Sequence, residues 1–389
     1  MKTSGLNEKS CLCALNRIFG FEPKIGIALI ERLGSAEAVF GLDGKSLSEF
    51  LGPCSKYLDM VRAEEVPRSR DELERLARDG CRFVGIGEEG YPSLLRECED
   101  PPIGLYYKSV SSPEEIFNSR PCIAIVGTRD FSPYGREWTW RIASAIARSQ
   151  RRPAIVSGLA YGVDFTAHMA ALENGTPTIA VMATGIEEIY PYRHAALAER
   201  IASSPGSAIV TDYPPGTGAA KVNFLRRNRI IAGLSKATVL TESKTRGGGM
   251  ITARLAFSYG REVFALPGRV DDIRSQGCLN LIREKVAEPV GSPEGLVEAL
   301  GLGTPSRLKR RDFLETVEEY YKGTVDGKVL KDILSVASTV YRIRGVSIDE
   351  ICRSTGLQYG SVSSLTGMME GDGLIKTDLL QRCFVGPMA

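Results

Sequence analysis

Six short, mainly apolar runs recur through the middle of the chain: CIAIV (122–126), PAIVS (153–157), TPTIAVM (176–182), SAIVT (207–211), ATVLT (237–241) and REVFALP (261–267). Stretches with helical spacing separate them. A strand covered on both faces reads as a nearly continuous apolar run, because neither face meets water. Strands alternating with helices pair in parallel, since each crossover helix returns the chain to the same end of the sheet. Residues 71–300 are therefore expected to form an α/β domain, a doubly wound parallel sheet with helices on both faces.

The flanks read differently. Up to about residue 70, LCALNRIFGF, KIGIALIERLG and SAEAVFGL carry apolar residues at helical spacing with glycine punctuation. A helix-hairpin-helix (or SAM-like) module is one reading of region 1–70. Its phosphate-holding hairpin would be GFEP, where Glu22 opposes an anion, so a small helical packing domain suits the charge better. The segment 291–312 is turn-rich and then basic, a link to region 313–389. There, KVLKDILSVASTV, SIDEICRSTG and YGSVSSLTGMMEGDG read as three helices, and LIKT and RCFV as two strands. Ser347 with Glu350 forms a capping box, and Gly356 ends that helix. Three helices with a two-strand wing suggest a winged helix. Its third helical window, Gln358 to Asp372, has no Lys or Arg and two acids. A groove-reading helix needs the opposite balance, which points to protein contact.

At 389 residues the chain has room for two or three domains, and its net charge is only +2, so any site for nucleic acid must come from local clustering. One cluster stands out. From Tyr213 to Thr241 there is no Asp or Glu, while Lys221, Arg226, Arg227, Arg229 and Lys236 are present. Nine cysteines without a CxxC, beside only two histidines, argue against structural zinc and for free thiols in a reducing cytoplasm. The start MKTSGLNEKS has no apolar core, so no signal peptide is expected. No run is long enough for a membrane span.

Ligands of open parallel sheets bind beyond the carboxyl ends of the strands. The segments there are GTRDFSPYG, SGLAYGVD, ATGIEEIYP, DYPPGTGAAKVNFLRRNR and ESKTRGGGMIT. Small residues let backbone N–H groups approach phosphate, and helix N-termini add their dipoles. Arg129, Lys221 and the arginines at 226–229 are expected to converge on one mouth, a site for several phosphates. For any single arginine, bracing against an acid such as Asp212 or Glu242 fits equally well. Phe224, amid these cations, is either a base-stacking ring or a core residue at a helix start. No GxGxxG follows a strand, and GKS at 44–46 lacks the upstream glycine of a P-loop. Asp164 and His168, spaced i, i+4, could form an acid–base pair. With no nucleophile or metal cluster beside them, an Asp at a helix N-terminus above a packed His is preferred.

These segments together resemble the DNA-processing protein A family (DprA/Smf). The resemblance rests on IVGTR, SGLAYGVDFTAH, YPPGT, FLRRNRIIAGLS, GGGMITARLAF, GREVFALPG and QGCLNLIRE, in one register across roughly 80–290, with YPSLLRECEDPPIGLYYKS as lead-in. It implies an extended Rossmann-like domain that binds single-stranded DNA and passes it to the RecA recombinase in natural transformation. It also implies a cytoplasmic homodimer with no cofactor and no enzymatic activity. By resemblance, Arg129, Lys221 and Phe224 belong to the DNA pocket, and the candidate contacts are Gly127, Thr128, Arg129, Ser157, Lys221, Phe224, Arg226 and Arg227, with no catalytic or metal-binding residue. The chain departs from the family at Tyr161, where Arg is frequent, at Gly247 and Gly249, and at His194. A rival reading is a nucleotide phosphoribohydrolase of the LOG type, whose PGGxGTxxE motif is here PPGTGAAK and lacks the catalytic Glu. A third reading is a structural interaction protein that uses only its winged helix.

Overall fold

The structure, a computed structural model, describes residues 2–303, 313–343, 345–378 and 381–386. Part of the expected link, 304–312, lies outside the described residues. The chain forms two compact units that divide near residue 306.

The first unit is built on a nine-stranded sheet. In chain order the strands are β1 (Cys81–Gly85), β2 (Gly104–Lys108), β3 (Cys122–Val126), β4 (Ala154–Ser157), β5 (Thr178–Val181), β6 (Ala208–Thr211), β7 (Ala237–Leu240), β8 (Glu262–Ala265) and β9 (Glu288–Pro289). They lie in the order β1-β2-β6-β5-β4-β3-β7-β8-β9. The seven strands from β6 to β9 are parallel. The β1–β2 hairpin joins β6 antiparallel. From β3 the chain winds outward through β4, β5 and β6, then returns beside β3 at β7 and winds the other way. This is the Rossmann-like doubly wound arrangement expected from the apolar runs, with its switch point between β3 and β7.

Both sheet faces are closed by apolar side chains. Under one face Val126, Val156, Val181 and Val210 meet Ile230 and Ile231 of helix Lys221–Leu234. On the other, Ile123, Ile125, Ile155 and Val239 meet Ile142 and Ile146 of helix Pro133–Ala147 and Ala167 of helix Val163–Glu173. Helix Lys2–Phe19 continues the second layer. Its Leu12, Leu15 and Phe19 share a core with Phe83 of β1, Tyr106 of β2 and Ile209 of β6. The first seventy residues thus pack onto the antiparallel edge of the sheet. At the GFEP turn, Glu22 is paired with Lys56 at 2.7 Å.

The second unit is described by itself. Helices Phe313–Tyr321, Gly327–Arg342, Ile348–Thr355 and Tyr359–Gly371 enclose a small core around Ile333, Val336, Ile351 and Val362. A three-stranded antiparallel sheet, β10 (Val346–Ser347), β12 (Arg382–Val385) and β11 (Ile375–Thr377), flanks them. The Ser347–Glu350 capping box forms, and Gly356 takes the left-handed conformation (φ 73°) that ends the helix.

Candidate nucleic-acid interface

The loops following β3 to β8 meet in one cleft of about 900 Å³ at the switch point. Its walls come from Gly127–Asp130, Ala160, Tyr190, Ala219–Lys221 and Lys244–Gly249. Close backbone approach makes it possible. A Cβ on Gly127 would lie 2.6 Å from Val163 Cγ2, and one on Gly249 would lie 3.1 Å from Gly127 Cα. Gly162, at φ 79°, lets Val163 N–H donate to Thr128 O at 3.2 Å, which ties the first loop to the second.

Three helices that open at this cleft begin without a side-chain cap: Val163–Glu173, Lys221–Leu234 and Gly248–Ser258. Helix Pro133–Ala147 contrasts with them. Ser132 caps it, and the buried Glu242 carboxylate accepts from Ser132 N and Oγ at 2.8 and 2.7 Å. In the first of these the Val163 and Phe165 N–H groups are already taken by Thr128 O and Ala160 O, whereas the first N–H groups of the other two keep donor capacity, and the helix dipole favours an anion there.

Arg129, Lys221, Lys244 and Arg246 are exposed on the cleft. Among the described residues no acid lies within 4 Å of any of the four. Phe224 is only partly buried. The Arg129 guanidinium lies 5.2 Å from its ring centroid, and Tyr190 stands 5.3 Å away, tilted by 59°. The core alternative for Phe224 does not hold: the ring stands at the cleft wall between a cation and a second aromatic. Cations hold a phosphate backbone and ring faces stack bases, and this cleft offers both.

The expected convergence of the 226–229 arginines fails, because successive helical residues step around the axis. Lys221, Phe224, Leu225 and Asn228 share the cleft face. Arg226 points away and lies over the rings of Phe21 (4.6 Å) and Tyr213 (5.8 Å), 3.6 Å from Asp212. Arg229 is buried against Asp212 at 2.6 Å. Arg227 reaches the cleft floor but is buried, donating to Gly158 O at 2.8 Å and to Val181 O. Burial lowers its pKa to about 10, against the pull of the nearby Asp164 carboxylate. So Asp212 is a brace, as one reading held, whereas Glu242 holds a helix start instead of an arginine. Ser157 is fully buried, its hydroxyl donating to Ile125 O at 2.7 Å, and does not line the cleft.

Asp164 and His168 do not work as a pair. The Asp164 carboxylate accepts from Gly158 N and Ala160 N at 3.2 and 3.3 Å, and burial raises its pKa. His168 Nδ1 bonds Thr178 Oγ1 at 2.7 Å, and burial depresses its pKa to about 3. Sequence reasoning missed Tyr190, Lys244 and Arg246. The two cations sit in a loop read only for its glycines. Tyr190 reaches the cleft from the loop after β5, and the apolar pattern does not mark it.

Comparison with known proteins agrees with this architecture. The family model for DNA recombination-mediator protein A matches residues 82–301. Protein Smf of Synechocystis sp. is 39% identical over 229 residues, 59% of this chain and 56% of that protein. A DNA processing protein DprA of Mycobacterium tuberculosis is 34% identical over 289 residues, 70% of each chain. The X-ray structure of DprA from Streptococcus pneumoniae matches with a TM-score of 0.60 at 30% identity, covering 76% of this chain and 94% of that one. The match extends over the whole doubly wound sheet and the loops that build the cleft, and so this chain belongs to the DNA recombination-mediator protein A family.

Proposed function

We propose that this protein binds single-stranded DNA in the switch-point cleft and, as a homodimer in the cytoplasm, delivers it to a RecA recombinase. The observation that carries the reading is Phe224, held at the cleft wall between Arg129 and Tyr190 among four cations without acidic partners. A duplex hides its base faces, whereas a single strand offers them to such a ring while its phosphates meet the cations. Gly127 and Thr128 contribute backbone to the same wall. Arg227 contributes at the floor, and Arg226 and Ser157 act as supports. The second unit, with no Lys or Arg in helix Tyr359–Gly371, serves as a protein-contact module. Among the described residues no helix is long and apolar enough to cross a membrane, and no cluster of metal-ligating side chains occurs.

The rival reading, nucleotide hydrolysis, requires a general acid or base aimed at a bound nucleotide. Asp164 is instead engaged by two backbone N–H groups. Fluorescence anisotropy with labelled oligo-dT and a chromatographic assay for base released from nucleoside monophosphates separate the two. Stable oligonucleotide binding without base release is expected. Steady base release that disappears in Asp164→Asn would overturn the mediator reading.

A further inference from the structure

A second hollow lies beside the cleft. It has a volume of about 430 Å³ and is lined by Phe131, Trp140, Tyr161, Phe165 and His194, with Arg136 at its rim. Tyr161 is 44% exposed and Phe165 38%, yet they are not scattered surface rings. Both pack on the imidazole of His194, at centroid distances of 4.8 and 5.0 Å. His194 is itself fixed, its Nδ1–H donating to Leu159 O at 2.8 Å. The result is an open aromatic surface on a rigid support, made of ring faces that a core would bury.

The hollow and the cleft share a rim. Three pairs of consecutive residues divide between them: Asp130, Ala160 and Asp164 line the cleft, and Phe131, Tyr161 and Phe165 line the hollow. Consecutive Cα atoms are about 3.8 Å apart, so the two depressions are separated by one thickness of backbone. The rim is tied by the Val163 N–H to Thr128 O bond. Charge continues across it as well. Arg136 is exposed with no acid within 4 Å among the described residues, and Glu173 is the one acid lining the hollow. Aromatic faces beside an unpaired arginine repeat the chemistry of the cleft itself.

We propose that this hollow is a second stacking site, which takes bases of the same single strand after it crosses the rim from the cleft. The inference rests on the reading of the cleft as a DNA site and adds a path to it. The bound strand extends over the β4–β5 side of the sheet, and contact length exceeds what the cleft alone can hold. Recognition is by base faces and phosphate, and so is tolerant of sequence.

The test compares oligo-dT of about 6 nucleotides, enough for the cleft, with oligo-dT of about 20. The variants are Tyr161→Ala/Phe165→Ala, Arg136→Glu and Phe224→Ala, each checked by circular dichroism. The double variant should bind the short oligonucleotide as the parent does and the long one about tenfold more weakly, the loss of about one stacked base. Arg136→Glu, an exposed change that spares the packing, should also weaken only the long oligonucleotide. Phe224→Ala should weaken both. Unchanged affinity for the long oligonucleotide in both hollow variants overturns the proposal, and so do equal losses at both lengths. If Phe224→Ala binds the short oligonucleotide normally, the cleft reading fails instead.

Discussion

The two faces of helix Lys221–Leu234 are a controlled comparison. The same run of sequence supplies cations to both. On one face Lys221 stands exposed at the cleft beside Arg129, with no acid near. On the other Arg226 and Arg229 converge on the buried Asp212. Arg227 lies between, at the cleft floor but spent on the carbonyls of Gly158 and Val181. The lesson is that cation density in sequence does not measure capacity for an anion. What faces each cation decides it. A buried arginine with a carboxylate is a brace whose loss leaves an unpaired charge, whereas an exposed, unpaired one remains free for phosphate.

The most severe way to break this comparison is at Arg229. Its side chain is 6% exposed and that of Asp212 is 3%. Arg229→Ala leaves the carboxylate buried with Arg226, at 3.6 Å, as its remaining ion-pair partner among the described residues, and a loss of about 3–5 kcal/mol of stability is expected in denaturant titration. Arg229→Met with Asp212→Leu should recover most of it, because an apolar pair of similar volume carries no desolvation penalty. A single variant as stable as the parent would show that Asp212 finds water or another donor.

Acid sensitivity sharpens the same distinction. His168 has its pKa lowered from 6.5 to about 3 by burial. The unfolded chain therefore binds a proton that the folded one refuses, and stability from this group is full above pH 6.5 and lost as pH falls toward 3. Asp164 shifts the other way. Its raised pKa makes its buried charge a cost at neutral pH that fades on acidification. Thermal melts across this range should show His168→Asn losing less stability on acidification than the parent. An unaltered profile would assign the acid sensitivity elsewhere.

Six of the seven parallel strands, β3 to β8, were legible because burial on both faces leaves nearly continuous apolar runs, whereas β9, two exposed residues, leaves none. The β1–β2 hairpin was not. Its strands read RFVG and GLYY within polar, turn-rich surroundings, and only pairing with β6 makes them part of the sheet. The same limit hid the shared core of Phe19, Phe83 and Tyr106, which depends on contacts distant in sequence. At the site, the loops that carry the cations were legible from strand ends and small residues. The division of the arginines was not, since it turns on helical phase and on acids such as Asp212 and Asp100 that come from other segments.

On the cleft face, Phe224 tests the stacking half of the comparison. Phe224→Ala should cost about 1–3 kcal/mol of oligo-dT affinity, measured by anisotropy, with the salt dependence nearly unchanged. Its ring is partly exposed, so the melting temperature should fall far less than for Arg229→Ala. Normal affinity in this variant would leave the aromatic wall without a ligand.

The finest discrimination is between cations at the same helix start, and it needs a slope, not an affinity. Each phosphate held on a single strand releases counterions and contributes about −0.7 to the slope of log affinity against log salt. Lys221→Ala and Arg129→Ala should each flatten the slope by about that amount. Arg226→Ala should not, since its guanidinium is spent on Phe21, Tyr213 and Asp212. Arg129 carries a second expectation. It lies over the Phe224 ring, so part of its loss should persist at high salt, where the phosphate term has faded. Lys221 has no ring contact among the described residues, and its loss should vanish there. The measurement is a titration series over ionic strength with each variant at constant temperature. A flattened slope for Arg226→Ala, or an unchanged one for Lys221→Ala, would reverse the assignment of the two faces.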